Sequence, residues 1–149
     1  MQNTVTQQLN AMCNVRDANA LRPVIRALAD RFSSCATSTA GLVIKAGASA
    51  VAKTGAAAFN GFAGGVPVSI AASTDMPALV GTIGAGKYNV FCFFIDSAST
   101  VTVAMGTEGA TLAAVKFPTF PEGKALVGYL VITYASAFTG GTTALDTAT

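Results

Sequence analysis

Two textures divide the chain. Over residues 19–34 the apolar positions Leu21, Val24, Ile25, Leu28, Ala29 and Phe32 recur at the i, i+3, i+4, i+7 spacing of a helix with one buried stripe. Asn19 suits the N-cap, and Pro23 fits only within the first turn, where a missing N–H breaks no helical bond. Arg22, Arg26 and Asp30 then share the solvent side, with Arg26 and Asp30 placed to pair at i,i+4. A shorter helix is expected around residues 5–12. After residue 39 the helical period gives way to short β-prone runs between Gly, Ser and Thr clusters. These predict strands over residues 41–46, 66–71, 87–96, 100–105 and 124–135.

The third of these runs is the most informative. Alternation sets Tyr88, Val90, Cys92 and Phe94 on one face and Asn89, Phe91, Phe93 and Ile95 on the other. A strand apolar on both faces belongs in the middle of a sandwich or at a subunit contact. Asp96-Ser97-Ala98-Ser99 is a hairpin turn into the alternating Thr100-Val101-Thr102-Val103. The small-residue stretch 46–72 reads equally as a loosely structured connection or as short strands. The expected organisation is an N-terminal arm with an amphipathic helix over residues 1–40 and a β-rich domain over 41–149. The fold class is mainly β (α+β): an antiparallel β-sandwich or barrel preceded by an N-terminal helical arm.

Composition sharpens this. The 149 residues are enough for one domain, 52% of them are hydrophobic, and only 11% are charged, against about 25% in an average globular chain. Much of the surface is therefore expected to be covered by other chains. Nine Lys and Arg against seven Asp and Glu offer little counterion release, which argues against nucleic acid as a partner. A mean hydropathy of +0.55 raises the membrane question. The two uncharged stretches, 54–74 and 125–145, are interrupted by Gly, Pro, Asn or Thr, unlike the continuous apolar run of about 20 residues that a spanning helix needs. They read as strands and turns, and no membrane partner is expected. The N-terminus has neither the basic start nor the apolar centre of a secretory signal. Cys13, Cys35 and Cys92 are odd in number and widely spaced, so buried free thiols made in a reducing cytoplasm are expected.

Catalytic chemistry finds little purchase. There is no histidine, and Asp17, Asp30, Asp75, Asp96, Glu108, Glu122 and Asp146 lie scattered near turns. No catalytic residue, metal site or cofactor is expected, and the chain reads as a non-enzyme. Gly81-Thr82-Ile83-Gly84-Ala85-Gly86-Lys87 matches the core of a phosphate-binding loop. Tyr88 stands where that motif needs Ser or Thr, and a strand follows where it needs a helix, so a glycine turn between strands is the better reading. All four arginines, Arg16, Arg22, Arg26 and Arg31, precede all five lysines. They form either a solvated face or an anchor for carboxylates of a partner. Phe117-Pro118-Thr119-Phe120-Pro121-Glu122-Gly123 is an apolar loop stiffened by prolines. Phe117, Pro118, Phe120 and Tyr129 are the candidates for a contact between subunits.

The second half carries a resemblance. Gly86-Lys87-Tyr88-Asn89-Val90, then Ser99-Thr100-Val101-Thr102-Val103, then the Pro-Glu-Gly-Lys-Ala-Leu-Val-Gly-Tyr-Leu-Val-Ile segment over residues 121–132 occur in order, leading to residues 138–146, Phe-Thr-Gly-Gly-Thr-Thr-Ala-Leu-Asp. Over residues 66–146, and most specifically 126–146, the chain resembles virion structural proteins of tailed bacteriophages, in particular small proteins that decorate or cement the capsid. The resemblance implies a homodimer or homotrimer on the exterior of the head that binds the major capsid protein and bridges capsomers. Capsid contacts are then expected from Thr4, Val5, Leu9, Arg16, Arg22, Arg26 and Arg31. Another virion role (head fibre base, tail accessory or tail fibre protein) is the alternative.

Overall fold

The computed structural model describes residues 21–23, 25, 33–47 and 49–147. Of the expected helix over 19–34, residues 21–23, 25 and 33 are described and helical, while Ser34, also described, is a bend. The other residues of the arm before Ser33, including the shorter helix expected over 5–12, lie outside the described residues. From Cys35 onward the chain is mainly β, built from several antiparallel sheets.

The central sheet has the order β8-β7-β9, where β7 is Tyr88–Ile95, β8 Val101–Met105 and β9 Ala125–Thr133. The four expected strands from 66–71 onward appear with their ends trimmed by a residue or two. Strand β7 is buried from Asn89 to Ile95, as its two apolar faces require of a middle strand. The hairpin from β7 to β8 closes at Asp96. Its carboxylate accepts from the Ala98 and Thr100 N–H groups at 3.0 and 2.9 Å, and Ser99 takes a left-handed φ of 61°. Along β7–β9 the register slips once, between Phe93 and Phe94, so that Val127 and Gly128 together oppose Phe93.

The small-residue stretch resolves into strands. Strand β1 (Cys35–Ala36), β4 (Phe59–Ala63) and β5 (Val66–Ile70) form a second sheet in the order β1-β4-β5. Gly64 and Gly65, both at positive φ, make the two-residue turn between β4 and β5. Pro67 sits on edge strand β5, where a missing N–H does no harm. Two short pairs complete the fold: β2 (Val43–Ile44) with β3 (Ala52–Lys53), and β6 (Thr82–Ile83) with β10 (Phe138–Thr139).

The alternation of β7 divides the core in two. Phe91, Phe93 and Ile95 enter the larger cluster with Phe59, Ala63, Val68 and Ile70 of the second sheet, and Phe138 tilts against Phe91 at 6.1 Å between centroids. Val90, Cys92 and Phe94 form the smaller cluster on the opposite face, packed by Ala104, Val115 and Leu126. Two buried polar side chains are bonded inside the fold. Asn89 donates to the Gly106 carbonyl and accepts from the Val90 N–H, and Thr54 donates to the Ala71 carbonyl and accepts from the Thr74 N–H.

Candidate functional site

The outer face of the central sheet is covered by its longest connection, residues 106–124 between β8 and β9. This loop is tied down by reciprocal backbone bonds between Thr107 and Lys116 and between Tyr88 and Gly109. It makes one 3-10 turn, Leu112–Ala114, and lays Val115 on the smaller cluster. The proline-bounded segment then brings Phe120 onto Phe94, edge to face at 5.2 Å, and Phe117 onto Tyr129 of β9 at 5.5 Å.

These contacts cover only one side of each ring. Phe117 is 54% exposed, Phe120 54%, Tyr129 52%, and Val131, two residues along the same face of β9, 38%. Four large apolar side chains are thus exposed on the outer face of the central sheet, Phe117 and Tyr129 in contact and Phe120 seated on Phe94, with Lys116 and Glu122 exposed at the ends of the loop segment. Exposed apolar patches mark interaction sites. Beside it, residues 39–42 and 127–130 line a shallow groove of about 240 Å³ that shares Tyr129.

The structure therefore brings Phe117 and Tyr129 together at the surface, leaves Phe120 exposed on the same face against Phe94, and half-buries Pro118. Val131 is the member that the sequence did not single out. Its signal was the i+2 spacing from Tyr129, masked because Leu130 and Ile132 are apolar as well. Of the residues expected to bind a capsid, Arg22 is exposed. Thr4, Val5, Leu9, Arg16, Arg26 and Arg31 lie outside the described residues.

The loop that resembles a phosphate site is occupied from within. Glu108 accepts from the Gly84 N–H at 3.0 Å and from the Lys87 ammonium. These two contacts, the backbone donor first, hold its carboxyl below the usual carboxylate range. Lys87 leads directly into β7, and no helix N-terminus follows it. Among the described residues no three His, Cys, Asp or Glu side chains gather as metal ligands, and no helix is long and apolar enough to cross a membrane.

One expectation about the thiols needs correction. Cys92 is fully buried, and desolvation pushes its thiol up to about 11. Cys35 is exposed, because two-residue β1 lies at the rim of its sheet with both residues turned to solvent. Cys13 lies outside the described residues. Compared with protein-family models, with curated proteins and with solved structures, the chain matches none.

Proposed function

We propose that this protein is a non-enzymatic decoration, or cement, protein of a bacteriophage capsid. It binds the major capsid protein on the outside of the assembled head and bridges capsomers as a homodimer or homotrimer. The observation that carries the reading is the patch of Phe117, Phe120, Tyr129 and Val131, an apolar surface on a chain with few charges. A surface of that kind suits a subunit working inside an assembly. The resemblance over residues 66–146 supplies the assembly.

In this reading the two larger sheets act as a sandwich across the Phe91–Phe59 core, and residues 1–40 are the arm that carries the amphipathic helix. Its arginines, Arg16, Arg22, Arg26 and Arg31, dock on capsid carboxylates. Stabilisation of the head follows from mass action, since a ligand of the assembled lattice alone favours the lattice. The test is the copy number of the chain relative to the major capsid protein in purified virions, by quantitative mass spectrometry. A ratio near one, or a simple fraction of it, is expected. A few copies per particle would shift the protein to a tail or a unique vertex, and absence from the particle would end the reading.

A further inference from the structure

Strand β9 ends the central sheet, and the backbone bonds of β7 fix where its free edge points. Tyr88 exchanges both backbone bonds with Gly109, and the Gly106 N–H donates to the Val90 carbonyl. The even-numbered residues of β7 therefore turn their backbone groups toward β8. Opposite them in β9 stand Thr133, Val131 and Tyr129. In an antiparallel ladder these are the non-hydrogen-bonded pairs, so the N–H and C=O groups of Tyr129, Val131 and Thr133 point away from the sheet. Among the described residues, none of the backbone bonds outside the ladders involves these three.

Sheets that stay monomeric blunt such an edge with charge, proline, bulge or cover. Strand β9 contains no charged residue and no proline from Ala125 to Thr133, and its bulge falls earlier, at Val127 and Gly128. The segment 129–133 is left regular and uncharged, with residues 39–42 beside its start at Tyr129 and Leu130 and, among the described residues, no backbone partner from Tyr129 to Thr133 outside the ladders.

We propose that this edge pairs with the same edge of a second copy, antiparallel about a two-fold axis at Val131. The pairing deepens the capsid reading by naming the surface of its oligomer contact, and it rests on that reading only for the expectation of self-association. In this register Val131 opposes Val131 and Tyr129 opposes Thr133, so each outward-pointing group of the three residues meets a partner. Leu130 opposes Ile132 on the inner face. Two three-stranded sheets become one of six, β8-β7-β9-β9-β7-β8, and the two aromatic patches become neighbours.

Three features favour a copy of this chain over another partner. An uncharged strand meets itself without like-charge repulsion. A two-fold axis needs a self-complementary strand, and 129–133 is one. The half-exposed rings of Phe117, Phe120 and Tyr129 add roughly 240–400 Å² of apolar surface per copy, up to about half of the roughly 800 Å² that each partner gives to a standard interface, and the paired strand edge adds to it.

The test uses the full chain. Sedimentation over a range of concentrations is expected to give a dimer, with Val131→Lys weakening it by about tenfold or more and Val131→Thr leaving it intact. Circular dichroism reports whether V131K is folded. Independently of that variant, V131C in a chain also carrying Cys13→Ser and Cys35→Ser is expected to cross-link to itself with a short bismaleimide, whereas L112C in the same background is not. A monomeric chain, a trimer, a dimer indifferent to V131K when that variant is folded, or no cross-link through position 131 would each overturn the proposal. These readouts need no virion. A dimer absent from purified particles would sink the capsid reading alone, and a monomer found there in stoichiometric amount would sink the edge pairing alone.

Discussion

Phe117 and Tyr129 meet edge to face, 80° apart in plane, although one belongs to a proline-bounded loop and the other to β9. Both rings remain more than half exposed, so their contact fixes the patch in position without hiding it. Phe117→Ala is therefore expected to lower stability only by about 1 kcal/mol, the worth of one aromatic pair. Phe91→Ala, at a fully buried position, should lower it by about 3–5 kcal/mol. Urea unfolding of the two variants checks the contrast. A Phe117→Ala loss as large as that of Phe91→Ala would mean that the ring belongs to the core.

Gly106 follows β8 at a point where the chain is crowded by its own loop. A Cβ there would collide with the Lys116 carbonyl oxygen and press on Val90. Backbone cannot yield as a side chain does, so Gly106→Ala is expected to destabilise by about 1–3 kcal/mol. At Gly84 a Cβ would meet the flexible Lys87 side chain at 3.4 Å and the Glu108 carboxylate at 3.7 Å, both side-chain ends that can yield, and Gly84→Ala should stay within about 0.5 kcal/mol. Thermal melts of both variants would show the difference, and equal losses would refute it.

Glu108 gives the fold an acid-sensitive tie. Its carboxyl is held below the ordinary range by the Gly84 N–H and then by Lys87. A depressed carboxylate stabilises the folded chain above its unfolded pKa, about 4.3, and this contribution fades as pH falls through the lower folded value. The melting temperature of Glu108→Gln should lie below that of the native chain near neutrality and converge with it in acid. A gap that stays constant on acidification would contradict the assignment.

The two described thiols should differ sharply in reactivity. Cys35 is exposed, whereas Cys92 is buried with its thiol raised to about 11, and the thiolate is the reactive form. Iodoacetamide at pH 8, followed by peptide mass spectrometry, is expected to label Cys35 and spare Cys92 until the chain is unfolded. Labelling of Cys92 in the native protein would reveal frequent opening of the face beneath the 106–124 loop.

If the arm carries the capsid contact, deleting residues 2–18 should abolish binding to undecorated heads while the β body keeps its fold and oligomeric state. Arg22→Glu with Arg26→Glu should weaken binding and reduce its dependence on salt. Co-sedimentation with heads measures both. Full decoration by the truncated chain would remove the arm from the mechanism.

How far the sequence reveals the fold depends on where the apolar signal lies. Strand β7 is legible because Phe91, Phe93 and Ile95 alternate with Val90, Cys92 and Phe94, and the structure assigns the two sets to separate clusters. Strand β4 is not. Its inward positions after Phe59 are Gly61 and Ala63, while Phe62 faces solvent, so hydropathy runs against burial. Strands β1, β3, β6 and β10 are two residues long, too short for any period to register, and of the strand expected over 41–46 the chain keeps only Val43–Ile44. At the surface, the proline-stiffened loop marked Phe117 and Phe120 as candidates. The meeting of Phe117 with Tyr129 of β9, and the exposure of Val131 beside it, depend on a register that slips at one bulge, which no pattern in the chain encodes.

The order of strands along the chain also sets a schedule. Strand β7 can fold onto β8 as soon as the turn at Asp96 is made, but its other edge and much of its cover come from β9, which begins about thirty residues after β7 ends. At roughly 5–20 residues per second of synthesis, the most apolar strand in the molecule waits about 2–6 s half-clothed on the ribosome. In that interval a nascent neighbour offers the same sticky edge. Slowing translation between residues 96 and 124 would lengthen the exposure, and clumping of newly made chains should rise with it.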